Sequence, residues 1–152
     1  HLFGCEIAAY DLFPKKNAPE YLHYGTLEEV LSKSDIVTLH CPLTEDSRNL
    51  INQDRIAQMK KGAILINAAR GPIVDSKALA DALNSGYLRG AGVDVFEMEP
   101  PLPMDHPLLH SINTIVTPHI AFASDESMEI RAKIVFENIQ KWMNKEQVNT
   151  IL

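Results

Sequence analysis

A short apolar run between two chain breakers constrains the fold of this chain more than any other feature. Gly62 precedes the run Ala63-Ile-Leu-Ile66, and Asn67 follows it. A continuous apolar run of this length, with no polar residue alternating in it, predicts a strand that is buried on both faces. Strands of that kind belong to parallel sheets, so we expect this run to lie inside one.

Arg70 follows that strand and stands directly before Gly71-Pro72. Because a Gly-Pro pair cannot continue a sheet, Arg70 is predicted to lie at the carboxyl end of the strand, where ligands bind in open α/β sheets. A guanidinium at that end can hold a carboxylate through two parallel hydrogen bonds. The residue taken alone leaves open the alternative of an ordinary solvated loop arginine.

The rest of the chain alternates predicted strands with predicted helices. Strands are predicted at 6–10, 35–40, 62–68, 90–95 and 114–117, and helices at 27–33, 53–59, 76–85 and 125–143. Thr26, Asp75 and Ser124 have the residue types of helix caps, and Gly86 is expected to end the third helix. The alternation predicts βαβ units around a parallel sheet. We see no repeat and no interior domain boundary.

Two segments refine this pattern. The apolar residues of the last helix step by four and three, which places them on one helical face; they are Met128, Ala132, Val135, Ile139 and Trp142. The segment 97–107 contains four prolines and is therefore predicted to be an irregular loop.

Composition limits the partners and the compartment. The 152 residues carry a formal net charge of −6 with no basic patch, which argues against nucleic acid as a partner. No apolar run approaches the roughly 20 residues that a membrane span needs. The start of the chain lacks the features of a secretory signal, and Cys5 and Cys41 lie in apolar surroundings. We interpret the two cysteines as reduced core thiols and expect a cytoplasmic protein with no metal site.

Asp11 follows the first predicted strand. In a dinucleotide-binding fold an acidic residue at such a strand end accepts hydrogen bonds from the ribose hydroxyls. The alternative is an aspartate that forms the turn before Leu12-Phe13-Pro14. No glycine fingerprint precedes it, although Phe3-Gly4 fits the tail of the helix that would follow such a fingerprint.

Two further strand ends carry polar or small residues. The segment His40-Cys41-Pro42 follows the second predicted strand and would form a flat apolar wall for a base, or else is an ordinary strand end. Asp94 lies inside the apolar run 93–96. A lone buried carboxylate is costly unless it is paired, so Asp94 is predicted to meet a polar group or, alternatively, nearby backbone amides.

Glu99 and His119 follow the last two predicted strands. Neighbouring strand ends would bring them together, and a carboxylate bonded to one imidazole nitrogen stabilises the imidazolium. The other nitrogen is then free to give or take a proton. The alternative is a satisfied loop histidine, which is how we interpret the remaining histidines that we considered, His1, His23, His106 and His110.

These residues resemble the D-isomer-specific 2-hydroxyacid dehydrogenase family. Three segments look like its signatures: Asn67-Ala-Ala-Arg-Gly71, Asp94-Val-Phe-Glu-Met-Glu-Pro100 and Thr117-Pro-His-Ile-Ala121. Two more are similar to its cofactor-contact segments: Tyr10-Asp11 and His40-Cys-Pro-Leu-Thr44. Their order and spacing match from residue 1 to about residue 149, which is almost the whole chain.

The resemblance implies a Rossmann-type, doubly wound parallel sheet that binds NAD. Arg70 would bind the substrate carboxylate and polarise the carbonyl, His119 would be the acid/base, and Glu99 would be its partner. Asp94 would face the nicotinamide carboxamide, and Asp11 would bind the adenosine ribose. The residues expected to line the cofactor are His40, Cys41, Pro42, Ala68, Ala69, Arg70, His119 and Ala121.

The family's first strand and glycine-rich loop are expected just before residue 1, and its substrate domain is expected mostly further upstream. The resemblance therefore implies that residues 1–152 form the C-terminal part of a cofactor domain, truncated at its N-terminal side and inactive alone. The full-length protein is expected to be a homodimer.

The expected reaction is hydride transfer between NAD(H) and a small D-2-hydroxy or 2-oxo acid. The proline-rich loop and Phe122 look like the branch that reduces hydroxypyruvate or glyoxylate, and Glu99 argues against formate dehydrogenases. The alternative is an NAD-sensing binding protein similar to the C-terminal-binding-protein corepressors.

Overall fold

The structure is a computed structural model that describes residues 3–98 and 101–150. Contacts divide the chain into two compact units, residues 1–118 and residues 119–152. The expectation that residues 1–152 form one partial cofactor domain stays a prediction. The long helix of the second unit has no buried side chain, so it adds nothing to the hydrophobic core.

The first unit alternates parallel strands with helices, as predicted. Its strands are β1 (Ile7–Ala9), β2 (Leu22–Tyr24), β3 (Ile36–Leu39), β4 (Ile64–Asn67), β5 (Gly90–Val93) and β6 (Thr114–Val116). Its helices are α1 (Leu27–Lys33), α2 (Gln53–Gln58) and α3 (Ser76–Asn84), with short 3₁₀ turns at Gly71–Ile73 and Pro107–Leu109. The prediction missed β2 and both 3₁₀ turns, which are three-residue elements without a readable period.

All the strand pairs are parallel, which confirms the α/β class. β1 pairs with β2, and a second sheet has the order β3-β4-β5-β6. β4 lies inside this sheet, and its Leu65 is fully buried at 0% exposure. Full burial of one such side chain stabilises the fold by about 1.5–3 kcal/mol. The apolar run is therefore a central strand, as predicted. It is not buried on both faces, because Ile66 is 37% exposed.

Local capping explains where the helices begin and end. Thr26 accepts a hydrogen bond from the Glu29 amide while the Glu29 side chain accepts one from the Thr26 amide, which is a capping box. Asp75 accepts from the amide of Ala78 at the start of α3. After α3 the chain turns at Gly86, whose φ of +72° is accessible to glycine without steric cost.

An open groove of about 370 Å³ lies between the two sheets of the first unit. β1 and β3 both line it, and so does the inner face of α1. In the described residues β1 pairs only with β2, and β3 pairs only with β4. The groove is thus bordered by one unpaired edge from each sheet.

The second unit consists mainly of α4 (Asp125–Met143), which Ser124 caps with a reciprocal bond to Ser127. The predicted helix is confirmed. Its apolar side chains are solvent-exposed, with Phe136 at 72% and Trp142 at 68% exposure. The predicted apolar positions therefore exist on the helix without forming a core.

The cysteines differ from the expectation of two core thiols. Cys5 is exposed and Cys41 is half-buried, and both are free. Cys5 lies just before the three-residue strand β1, where the chain has little structure to cover it.

Candidate active site

The carboxyl ends of the four parallel strands form one edge of the larger sheet. His40 follows β3, Arg70 follows β4, and Asp94 follows β5. Because β3, β4, β5 and β6 are neighbours in this order, residues after their carboxyl ends share the edge where open α/β sheets bind ligands.

Arg70 is held at this edge by the side chain of Asn67. Asn67 is 1% exposed, its Oδ1 accepts from the Ala69 amide at 3.1 Å, and its Nδ2 donates to the Arg70 carbonyl at 3.0 Å. The Arg70 side chain is exposed and donates from Nη1 to the Ala69 carbonyl at 2.6 Å. The backbone of Arg70 is thus fixed while its side chain is exposed. Ala68 is exposed as well, whereas Ala69 is buried in the core at 9% exposure.

The turn after Arg70 is wedged between two other segments. On one side the amides of Asn49 and Ile51 donate to the carbonyls of Pro72 and Ile73, at 2.8 and 3.0 Å. On the other side, a Cβ added at Gly71 would lie 1.8 Å from the carbonyl carbon of Phe96. Only glycine permits this approach of two backbones.

Asp94 is buried at 5% exposure, as its apolar neighbours suggest. The hydroxyl of Thr117 donates a short hydrogen bond to its Oδ1, and its own amide donates to the Asn67 carbonyl at 2.9 Å. The prediction that this carboxylate meets a polar group is confirmed. These bonds also tie the ends of β4, β5 and β6 together.

Asp11, His40 and Cys41 all line the groove between β1 and β3. Asp11 accepts from the Phe13 amide through Oδ1 at 2.8 Å, so it does form a turn. His40 Nε2 pairs with Thr38 Oγ1 at 3.0 Å. Burial raises the pKa of the Cys41 thiol above its ordinary 9.0 and outweighs a backbone hydrogen bond that lowers it. Cys41 therefore presents a neutral, weakly polar surface to the groove.

Pro42 follows these residues and is exposed, and it is not part of the groove wall. Its carbonyl accepts from the Ser47 hydroxyl at 2.7 Å.

His119 and Ala121 belong to the second unit, whereas Arg70 and Asp94 belong to the first. His119 is half-buried, with a φ of 58° that is rare for a residue other than glycine. Its ring stands perpendicular to the ring of Phe122, with 6.1 Å between the centroids. Unusual backbone angles of this kind cluster at functional sites. Ala121 is exposed. Glu99 lies outside the described residues, so its predicted pairing with His119 stays a prediction.

His106 has a larger role than the sequence suggests. It is 4% exposed, its Nε2 pairs with Glu97 Oε1 at 3.0 Å, and Glu97 Oε2 accepts from the Ser76 hydroxyl at 2.8 Å. Nothing in the sequence singles out this network, because its three members are far apart along the chain. Pro107 is a sequence signal for the 3₁₀ turn that the imidazole caps, but it does not identify the partners of the ring.

The described part of the chain has no group of three or more His, Cys, Asp or Glu side chains that could hold a metal ion. No helix there has the length and apolar content of a membrane span.

Comparison with known proteins identifies the family. Residues 1–121 match the family described as D-isomer specific 2-hydroxyacid dehydrogenase, NAD binding domain. This chain belongs to that family. The motifs around Arg70, Asp94 and His119 all lie within the matched range.

Individual relatives agree with this assignment. A glyoxylate reductase of Korarchaeum cryptofilum is 44% identical over 139 residues, covering 90% of this chain and 42% of the relative. A hydroxypyruvate reductase of Blautia hydrogenotrophica is 39% identical over 149 residues, covering 97% of this chain and 46% of the relative. The chain thus spans less than half the length of these dehydrogenase-family relatives.

Solved structures give the same fold. The crystal structure of a D-lactate dehydrogenase with NAD⁺ from Lactobacillus jensenii has a TM-score of 0.89 and 32% identity. The match covers 99% of this chain and 49% of that chain. The Rossmann-type α/β fold expected for the family is confirmed.

Proposed function

We propose that this chain is the cofactor-binding part of an NAD-dependent oxidoreductase acting on a small D-2-hydroxy or 2-oxo acid. The observation that carries the proposal is the placement of Arg70 in a dehydrogenase-family chain. Its backbone is fixed by Asn67, and its exposed guanidinium stands at the carboxyl end of β4. A guanidinium so placed suits a carboxylate, which it can grip through two parallel hydrogen bonds.

The groove between β1 and β3 supports NAD as the cofactor. Its volume of about 370 Å³ is within the range of ligand sites, and its wall includes the Asp11 carboxylate and the neutral Cys41 thiol. A carboxylate has two oxygens, so the turn bond at Oδ1 leaves acceptor capacity for ribose hydroxyls. His40, Pro42, Ala68 and Ala69 are proposed to border the cofactor, and Asp94 to face its carboxamide.

Bound NADH would supply the hydride for reduction of the 2-oxo acid. Arg70 would hold the substrate carboxylate and polarise the carbonyl. Protonated His119 would give a proton to the carbonyl oxygen, and neutral His119 would take it back in the oxidation. Glu99 would stabilise the imidazolium, and Ala121 would border the cofactor beside it. Proton donation of this kind contributes about 10²–10⁴-fold to the rate.

The same groove supports the proposal that the domain continues beyond these residues. Its wall includes β1, β3 and apolar side chains of α1. Among the described residues each of these two strands has one edge without a pairing strand, and two such parallel edges along one groove suit one more parallel strand between them. That strand would carry the glycine-rich loop, and the substrate domain would account for the remaining length of the relatives.

The finer proposals concern the substrate and the assembly. Glyoxylate or hydroxypyruvate is the proposed 2-oxo acid, because two relatives are a glyoxylate reductase and a hydroxypyruvate reductase. Both relatives are enzymes, so they give the corepressor-like alternative no support. A cytoplasmic homodimer without nucleic-acid or membrane partners remains a prediction.

The test is turnover by the full-length gene product. We expect it to oxidise NADH with glyoxylate or hydroxypyruvate, and Arg70→Lys to lower kcat/KM for the 2-oxo acid by about 10–100-fold. A lysine keeps the charge but loses the second charge-assisted hydrogen bond, which contributes about 1.5–3 kcal/mol.

Arg89→Lys is the matched control. Arg89 is an exposed arginine directly before β5, at the opposite end of the strands, so its replacement should leave the kinetics unchanged. Absence of turnover with every 2-oxo acid would refute the proposed activity. Wild-type kinetics in Arg70→Lys would instead remove Arg70 from the substrate site.

A further inference from the structure

The proline-rich loop between β5 and β6 is closed by a buried histidine. His106 is 4% exposed, and its Nδ1 accepts from the Leu108 amide at 3.3 Å. A ring nitrogen that accepts from an amide carries no proton, so the proton of the neutral imidazole is on Nε2. Nε2 therefore donates to Glu97 Oε1, which lies at 3.0 Å.

Glu97 is held from two sides. Besides the bond from His106, its Oε2 accepts from the hydroxyl of Ser76, the first residue of α3, at 2.8 Å. Partial burial raises the pKa of Glu97, but the bonds from its own amide, Ser76 and His106 outweigh it, and the pKa is lowered from 4.5. Glu97 is thus ionised near neutral pH and links the loop to the start of α3.

The same imidazole also contacts the residue before Glu97. The rings of Phe96 and His106 meet edge to face, with 5.3 Å between the centroids. His106 therefore holds the side chains on both sides of the Phe96–Glu97 peptide bond. This peptide is the surface against which Gly71 packs, because a Cβ at Gly71 would lie 1.9 Å from the Phe96 oxygen and 2.5 Å from the Glu97 nitrogen.

Gly71 directly follows Arg70, so a shift of the Phe96–Glu97 peptide would move Gly71 and, with it, the backbone of Arg70. Asn67 fixes the Arg70 backbone from the β4 side, and the Phe96–Glu97 peptide supports it from the β5 side. A displacement of about 1 Å at a substrate-binding group can cost on the order of 100-fold in rate. The network can therefore affect substrate binding without touching the substrate.

We propose that His106, through Glu97 and Ser76, is a positioning residue that holds Arg70 in place for the substrate carboxylate. This inference rests on the proposed function, in which Arg70 binds that carboxylate. It adds a residue that the proposed mechanism does not use, in the loop that also carries Glu99.

Two substitutions at His106 separate the two hydrogen bonds of the ring. The amide of glutamine reaches the position of Nε2, so His106→Gln keeps a donor for Glu97 and loses the acceptor for Leu108. Asparagine reaches the position of Nδ1, so His106→Asn keeps the acceptor for Leu108 and leaves Glu97 without this donor. Both lose the ring contact with Phe96, which makes them a matched pair.

The measurements are the KM for the 2-oxo acid, kcat, and the Kd for NADH by calorimetry, all in the full-length protein. His106→Asn should raise the KM for the 2-oxo acid on the order of tenfold while the Kd for NADH stays within about twofold. His106→Gln should keep both values near those of the wild type. A general loss of structure would instead weaken binding of both ligands.

Ser76→Ala keeps the inference testable if the His106 variants fail to fold. It removes the second bond to Glu97 without disturbing a buried ring, and it should raise the same KM by a smaller factor. His110→Asn is the control, since His110 is an exposed histidine of the same loop that bonds to the Met104 carbonyl instead of Glu97.

The outcomes distinguish this inference from the proposed function. An unchanged KM in His106→Asn, or in Ser76→Ala if the His106 variants do not fold, overturns the inference. An equal rise in the Asn and Gln variants, or a parallel loss of NADH affinity, also overturns it. If Arg70→Lys has no effect in the same assay, the substrate role of Arg70 fails first. If Arg70→Lys is impaired, His106→Asn should raise the KM by a smaller factor in the Arg70→Lys background than in the wild-type background.

Discussion

At the scale of single residues, the Asp11 carboxylate forms a turn and is also proposed to bind the cofactor ribose. It accepts a hydrogen bond from the Phe13 amide, and it lines the groove proposed for the cofactor. In the full-length protein we expect Asp11→Ala to narrow or reverse the preference for NAD over NADP. The carboxylate repels a 2′-phosphate and accepts from a free ribose hydroxyl.

The observable for Asp11 is the ratio of kcat/KM with NADH to kcat/KM with NADPH. Asp11→Asn is the informative companion, because it keeps an acceptor for the Phe13 amide while it removes the charge. If both variants keep the wild-type ratio, Asp11 is a turn residue and nothing more.

Single residues also show where sequence reasoning succeeds and where it stops. The burial of Asp94 and its polar partner follow from a lone carboxylate in an apolar run, and both are observed. The role of Asn67 does not follow, because an asparagine after a strand is also an ordinary turn residue. His106 and Glu97 meet across a proline-rich loop whose path no local propensity determines.

At the scale of elements, the fit between the turn after β4 and the chain after β5 depends on one glycine. We expect Gly71→Ala in the full-length protein to lower the free energy of unfolding by at least about 2 kcal/mol, since a methyl group there overlaps backbone atoms that cannot rotate away. The same variant should raise the KM for the 2-oxo acid, because the overlap pushes Arg70 from its position.

Gly92→Ala is the matched control for this prediction. Its added Cβ would meet only Ile66 side-chain atoms at 3.9 Å, which is an ordinary contact. Urea unfolding followed by circular dichroism gives the two midpoints. Equal midpoints for the two alanine variants would mean that the backbones at Gly71 are further apart than described.

Elements with a long or continuous pattern are the ones that the sequence predicts. β4 follows from an apolar run, and α3 and α4 follow from their caps and periodicity. β2 has three residues and an alternation too short to read, and it exists because β1 offers it a parallel edge. The spacing of apolar residues predicts the helix α4 correctly, but it does not predict that these side chains are exposed.

At the scale of the whole molecule, the chain spans less than half the length of the glyoxylate and hydroxypyruvate reductases that it matches. Within the described residues, the groove between β1 and β3 borders two strand edges that have no pairing strand. The family match covers residues 1–121, and the fold match to the D-lactate dehydrogenase covers 99% of this chain.

These 152 residues lack one part that dinucleotide binding normally uses. The pyrophosphate of a dinucleotide is normally held by glycine amides at a helix N-terminus, and no G-x-G-x-x-G occurs in the 152 residues. The closest pattern, Gly90-Ala-Gly92, lies within β5 instead of at a strand-to-helix turn. We therefore expect these residues alone to turn over no 2-oxo acid and to bind NADH with a Kd nearer about 1 mM than about 1 μM, a difference of about 4 kcal/mol.

Calorimetry with NADH and a spectrophotometric assay with glyoxylate test the isolated chain, and circular dichroism verifies that it is folded. The comparison is the full-length gene product under the same conditions, which should bind NADH in the micromolar range. Micromolar affinity in the isolated chain would show that the edge residues and the groove hold the dinucleotide without a glycine-rich loop. In that case the added parallel strand proposed for the groove between β1 and β3 would lose its main functional reason.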